Sequence, residues 1–212
     1  MAMVCLLVGA GALLVESRNS AQPGAPLVLY EGATLIDGET GRALGDSAFM
    51  VEGQRIGRVG RKGEIALPAG ATRVDLAGKT VMPALVSTHV HVGLLDGHDF
   101  GPQVYTREKL VEHLRRYAYY GVGVVFSMGT DVGPLSFQVR AAQPAGAARL
   151  LTAGRGMAAP DGAPGIRVIA NTSFPITTAD EGRRRVRELA RDGADAVKIW
   201  VDDRGGRVKK LT

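Results

Sequence analysis

The sequence predicts an α/β protein, an incomplete (β/α)8 barrel that follows a small all-β domain. Residues 27–76 alternate short apolar runs with glycine-rich turns, a pattern that indicates strands without helices. After Pro83 the pattern changes, and strand-like and helix-like segments alternate four times. This second part has about 130 residues, enough for four βα units of about 30 residues each, whereas a complete barrel needs about 250. The chain is therefore expected to be the front half of a longer protein, or to take the missing strands from a partner such as a second copy.

The charged residues and the single cysteine exclude several classes of protein. The net charge is +5, but the basic residues are scattered, and the densest group lies on one predicted helix without interleaved aromatic residues. A solvated helix face explains that group better than a nucleic-acid site does. Cys5 is the only cysteine, so the chain has neither a disulfide framework nor a thiolate metal site.

The first residues form an apolar run that resembles the hydrophobic region of a secretory signal. The run covers 3–15, which is too short for a stable membrane span, and a cleavage site follows Ala21. We therefore expect a signal peptide at 1–21, a linker at 22–26, and export to the periplasm or the extracellular space. The alternatives are an unprocessed anchor and a plain cytoplasmic extension.

The elements follow from apolar runs, turn residues and helix caps. In the all-β domain, 27–82, the predicted strands are 28–30, 33–36, 47–52, 55–59 and 72–76. In the barrel part, 83–212, the predicted strands are 85–92, 122–128, 148–152 and 196–201, and the predicted helices are 107–120, 136–142 and 178–192. Thr106 caps the first of these helices, and Thr178 and Glu181 form a capping box for the last.

Two histidines follow one another at alternate positions at the end of the first barrel strand. His89 and His91 would project from the same face, because residues i and i+2 of a strand share a face. Imidazole is a frequent metal ligand, and active sites of such barrels lie at this end of the strands. The pair predicts a metal site, although two hydrogen-bonded histidines at a strand end remain an alternative.

Three stretches carry a resemblance to a known family. The first runs from 75 to 91 as DLAGKTVMPALVSTHVH, the second is GADAVKIW at 193–200 with Lys198, and the third is SMGTD at 127–131. Together they resemble the amidohydrolase superfamily of metal-dependent hydrolases, and most of all its imidazolonepropionase-like and prolidase-like branch. The resemblance extends from residue 27 to the end of the chain.

The resemblance implies a small β-sandwich before the barrel and a metal centre within it. His89 and His91 would bind one divalent ion, and Lys198, as a carbamate, would bridge to a second; Zn²⁺ is the expected metal. Its apolar neighbours are expected to desolvate Lys198 and lower its pKa, so that the neutral amine can take up carbon dioxide. The family's two further histidines and its strand-eight aspartate have no counterparts in the chain. No catalytic or substrate-binding residue is therefore assigned.

The expected function is that of a hydrolase, or part of one, acting on a carbon–nitrogen bond. A hydroxide activated by the metal would attack the amide of a small molecule, either a cyclic amide or a dipeptide of the Xaa-Pro type. Two alternatives stay open. The first is a single-metal deaminase of the same superfamily, in which Lys198 would not be carbamylated. The second is an inert, truncated product that binds at most one metal weakly.

Overall fold

The structure, a computed structural model, describes residues 25–162, 164, 166–203 and 205–211. This part of the chain separates into two compact units, with the division between Pro83 and Ala84. None of the helices in the described part is long and apolar enough to cross a membrane. The predicted signal peptide at 1–21 and residues 22–24 of the predicted linker lie outside the described residues.

The first unit is built from β-strands around one small apolar core. Its strands are β1 (Leu27–Ile36), β2 (Ala43–Glu52), β3 (Arg55–Arg61), β4 (Thr72–Asp75) and β5 (Thr80–Val81). They form a single sheet in the order β3-β2-β1-β4, in which β5 also pairs with β1. The all-β character agrees with the sequence prediction. The described residues of this unit form one sheet, so the second layer of a β-sandwich remains a prediction.

A glycine explains why two predicted strands are one in the structure. The sequence separates 28–30 from 33–36, whereas β1 continues through both and shifts its register against β2 between Glu31 and Ala33. Gly32 lies at this bulge with a φ of +88°, a conformation that residues with a side chain rarely adopt. The irregularity therefore bends the strand without ending it.

The second unit alternates strands and helices. Its strands are β6 (Leu85–Val90), β7 (Leu95–Asp96), β8 (Asp99–Phe100), β9 (Val122–Ser127), β10 (Arg149–Thr152), β11 (Gly156–Ala158) and β12 (Ser173–Pro175). Its helices are α1 (Arg107–Tyr119), α2 (Leu135–Ala142) and α3 (Ala179–Arg191), with short 3-10 helices at Pro102–Val104 and Arg167–Thr172.

The central layer of this unit is a parallel sheet in the order β10-β9-β6. Its core contains side chains from the strands and from α1, including Val125, Leu150, Leu110 and Leu114. The predicted N-caps of α1 and α3 are confirmed, since the Thr106 and Thr178 hydroxyls accept hydrogen bonds from the third residue beyond each. The Glu181 carboxylate accepts from the backbone and hydroxyl of Thr177, whereas the predicted capping box would have it accept from the Thr178 N–H. The carboxyl ends of all three parallel strands therefore lie at one edge, which holds the candidate site.

The fourth predicted barrel strand, 196–201, is not formed. Residues there make a single parallel bridge, Met157 to Ile199, with two backbone hydrogen bonds. The partner strand β11 pairs with β12 over all three of its residues, whereas it meets this segment only at Met157. The sequence also missed β11 and β12, because this segment is rich in glycine and proline. The prediction of four βα units is thus wrong in its last strand, and a complete barrel remains unconfirmed.

Candidate functional site

The two histidines of the predicted metal site lie side by side at the end of β6. His89 is in the strand and His91 is the first residue after it. Their ring centroids are 5.2 Å apart, with the rings at 78° to one another. Partial burial lowers the pKa of His91, and the charges of His89 and Lys198 lower it further. This environment favours the neutral imidazole, which is the form that binds a metal.

A buried threonine forms a hydrogen bond with the ring of His91. Nδ1 of His91 lies 2.9 Å from Oγ1 of Thr130, whose side chain is almost completely buried in the loop after β9. Because Nδ1 is hydrogen-bonded to Thr130, Nε2 is the ring nitrogen of His91 that remains available to bind a metal. Histidines that bind metals almost always hydrogen-bond through their other ring nitrogen, so this arrangement suits a ligand.

Lys198 reaches the same edge from a distant part of the sequence. Its carbonyl accepts a hydrogen bond of 2.9 Å from the Met157 backbone, so the segment lies beside β11. A Cβ atom placed on Gly129 would lie 2.6 Å from Cγ of Lys198, so only glycine leaves room for the lysine there. Nζ of Lys198 is 5.2 Å from the ring centroid of Trp200. The fold therefore brings Lys198 to the loop that also positions His91.

A buried aspartate, which sequence reasoning did not single out, lies next to Thr130. Asp131 is almost inaccessible to solvent, and Oδ1 accepts hydrogen bonds from Ser127 Oγ at 2.6 Å and from Tyr105 Oη at 3.2 Å. Oδ2 accepts one from the Thr152 hydroxyl. Burial raises the pKa of Asp131, and the hydroxyl groups around it oppose that rise. The SMGTD stretch was the only sequence signal for it.

The two other histidines of the chain do not join the pair. His113 accepts a hydrogen bond from the Gly93 backbone at Nδ1, so its Nε2 carries the hydrogen and donates to the Leu95 carbonyl, at 3.0 and 2.9 Å. It therefore anchors the loop after β6 to α1. His98 is exposed in the turn between β7 and β8. Both therefore have surroundings that differ from those of His89 and His91.

Three candidate donors lie at this edge of the sheet. They are the imidazoles of His89 and His91 and the amine of Lys198, with Thr130 behind one imidazole. Within the described residues, no group of three or more His, Cys, Asp or Glu side chains is arranged to hold a metal ion. A lysine contributes to such a site only as a neutral or modified amine, because its cation has no lone pair.

Several comparisons relate this arrangement to known proteins. No protein-family model matches the chain. A dihydroorotase from Pelotomaculum thermopropionicum is 34% identical over 65 residues, which are 31% of this chain and 14% of that protein. Among solved structures, phenylurea hydrolase B is 26% identical with a TM-score of 0.64, and an Xaa-Pro dipeptidase with methionine in its active site is 24% identical with a TM-score of 0.68. Each alignment covers 82% of this chain but only 45% and 47%, respectively, of those chains.

The chain thus has a mixed α/β fold that it shares with amidohydrolase structures. The resemblance to the amidohydrolase superfamily predicted from the sequence is confirmed by the matches to the dihydroorotase and to phenylurea hydrolase B. Further prolidase and amidohydrolase structures, at 20–24% identity, share the fold. The names of the similar proteins are those of hydrolases, which agrees with the predicted class of enzyme. The chain spans less than half the length of these solved structures.

Proposed function

We propose that this chain is part of a metal-dependent amidohydrolase that cleaves a carbon–nitrogen bond in a small molecule. The observation that supports the proposal is that His89 and His91 lie at the carboxyl edge of the parallel sheet, with Lys198 against the loop that holds His91. Lys198 is more than 100 positions from the histidines, yet its charge acts on His91 and its side chain packs on Gly129. Two histidines with a purely structural role would not require a lysine at this place.

In the proposed site, the two imidazoles and Lys198 would hold one or two divalent ions, with zinc as the expected metal. Such an ion polarises an amide carbonyl and lowers the pKa of bound water. Thr130 keeps His91 oriented with Nε2 free. The half-buried Lys198 would act as a carbamate, formed when its neutral amine adds to the carbon of carbon dioxide and releases one proton.

The proposed substrate is a cyclic amide or a dipeptide of the Xaa-Pro type. Among the similar proteins are an Xaa-Pro dipeptidase and a dihydroorotase, and these names support the two chemistries. Substrate selection in barrel enzymes lies in the loops at the carboxyl ends of the strands. Of these loops, the described residues include only those that follow β6, β9 and β10, so the class of substrate is proposed no more narrowly.

The test combines metal analysis with hydrolysis by the purified chain and three variants, His89→Ala, His91→Ala and Lys198→Ala. We expect bound zinc in the parent chain and its loss in both histidine variants, while His98→Ala, an exposed histidine in a turn, retains it. A panel of Xaa-Pro dipeptides and dihydroorotate gives the activity. Labelling with ¹³C-bicarbonate detects a carbamate on the parent chain and none on Lys198→Ala.

The outcomes separate the proposal from its alternatives. Zinc that is unaffected by both histidine variants would contradict the proposed site. One metal per chain without a carbamate, together with release of ammonia from an amino-substituted heterocycle added to the panel, would support the single-metal deaminase. Absence of both metal and turnover would identify the 212-residue chain as inert by itself.

A further inference from the structure

The carboxylate of Asp131 joins parts of the second unit that are distant in the sequence. It accepts hydrogen bonds from Ser127 at the end of β9 and from Thr152 at the end of β10. It also accepts one from Tyr105, in the segment before α1. A carboxylate can accept several hydrogen bonds at once, so one side chain holds the ends of two parallel strands and a neighbouring loop together.

One side of this network leads to His91. Thr130, which hydrogen-bonds the imidazole, is the residue before Asp131, so the carboxylate and the threonine hydroxyl are fixed by the same short piece of backbone. The ring of Tyr105 also approaches the loop that follows His91, because a Cβ placed on Gly93 would lie 2.9 Å from two carbons of the ring. Asp131 thus restrains His91 through Thr130 and through Tyr105.

The other side of the network leads to Lys198. Thr152, which donates to Asp131, forms two hydrogen bonds with Asp195, each of 2.8 Å: its backbone N–H donates to the carboxylate, and its carbonyl accepts from the Asp195 backbone. Arg140 holds the same carboxylate at 2.6 Å. Asp195 is three residues before Lys198, so these bonds fix the start of the segment that carries the lysine.

We propose that Asp131 is a positioning residue that sets the placement of His91 relative to Lys198. The reason for positioning these two side chains rests on the proposed function, whereas the hydrogen bonds that position them do not depend on it. Asparagine at this position would keep the shape and lose an acceptor, because one carboxylate oxygen becomes an amide donor. The hydroxyl groups of Ser127, Tyr105 and Thr152 could then no longer all donate to it.

The experiment compares Asp131→Asn with Glu31→Gln, which also neutralises a buried carboxylate but in the first unit. The milder variant Ser127→Ala removes one donor to Asp131 and serves if Asp131→Asn does not fold. Two signals are read without metal. Histidine ¹⁵N NMR at a pH where the rings are neutral reports the tautomer of His91, and fluorescence reports Trp200, the only tryptophan of the chain.

We expect the parent chain to show one His91 tautomer, with the hydrogen on Nδ1, and a defined Trp200 emission. Asp131→Asn should mix the tautomers and shift the Trp200 emission, whereas Glu31→Gln should change neither. Cobalt(II) serves as the metal probe, and Asp131→Asn should weaken its binding roughly 10–100-fold, the range typical of residues that orient metal ligands.

Variants of Thr130 test the connection to the histidine. Thr130→Val should reproduce the His91 effect, and Thr130→Ser should restore the signal of the parent chain. Thr172→Val is the matched control, because Thr172 is equally buried but donates to the backbone carbonyl of Ile169.

Unchanged His91 and Trp200 signals in a folded Asp131→Asn chain would overturn the positioning role. If the parent chain bound no cobalt, the proposed metal site would fail, while the two metal-free signals would still decide the role of Asp131.

Discussion

A single methyl group added at Gly156 should displace the tryptophan beside the candidate site. A Cβ placed there would lie 2.2 Å from Cζ3 of Trp200, more than 1 Å closer than the roughly 3.5–4.0 Å at which carbon atoms attract. Gly156 has no positive φ, so its backbone accepts alanine and the strain comes from the ring alone. Trp200 must therefore move away from β11 in the Gly156→Ala variant.

The expected cost is about 1–3 kcal/mol, the range measured when atoms are forced into a packed region. Because Lys198 is two residues before Trp200 and its Nζ lies 5.2 Å from the ring, metal affinity should fall as well. The free energy of unfolding is measured with urea for Gly156→Ala, Trp200→Leu and the double variant. The cycle should show that Gly156→Ala costs much less once the ring has been removed.

Gly57→Ala is the control, because Gly57 lies in strand β3 with no atom within 4 Å of an added Cβ. Its free energy of unfolding should stay within about 0.5 kcal/mol of the parent chain, as is usual for surface changes. If Gly156→Ala matched this control, the packing of Trp200 on β11 would be refuted. An equal cost of Gly156→Ala with and without the tryptophan ring would show that the strain lies elsewhere.

Three further predictions concern the second unit. Leu114→Ala should lower the free energy of unfolding by about 2–5 kcal/mol because this side chain is fully buried, whereas Tyr119→Ala, on the exposed part of the same helix, should change it little; both are measured by urea titration. His113→Phe leaves the Gly93 N–H without its acceptor and should cost about 1–3 kcal/mol, and faster hydrogen exchange at that amide would locate the effect. Burial raises the pKa of Asp131 in the folded chain above its ordinary 3.8, so the folded chain binds the carboxyl proton more tightly than the unfolded chain does. The free energy of unfolding should therefore fall as the pH rises from 3.8 to the raised pKa. The same pH dependence in the parent chain and in Asp131→Asn would contradict this.

Most of the regular elements of the second unit could be predicted because their signals are local. The starts of α1 and α3 follow from threonine caps, and the three parallel strands are apolar runs bounded by glycine or by polar residues. The strand expected at 196–201 has the same apolar pattern, yet a strand also needs a neighbour with a free edge. That neighbour is β11, which meets this segment only at Met157, and no local pattern predicts that single bridge.

The candidate ligands were more predictable than the residues that hold them. His89 and His91 follow from the two-residue period of a strand, and the resemblance to amidohydrolases indicated Lys198. Thr130 and Asp131 could not be assigned in the same way, because a hydroxyl or a carboxylate acquires a role only from partners that folding brings close. The partners of Asp131 come from as far away as Tyr105 and Thr152, so no sequence spacing relates them.

The segment Gly129–Asp131 is where the two halves of the candidate site meet. The missing side chain of Gly129 leaves space for Lys198, the hydroxyl of Thr130 lies against His91, and the carboxylate of Asp131 holds the strand ends on which both depend. These are three different physical roles in consecutive residues: volume, ring orientation and hydrogen-bonded support. A change at any of them should therefore affect the lysine and the histidine together if the two act as one site. Independent responses would indicate that Lys198 and His91 share a surface but not a function.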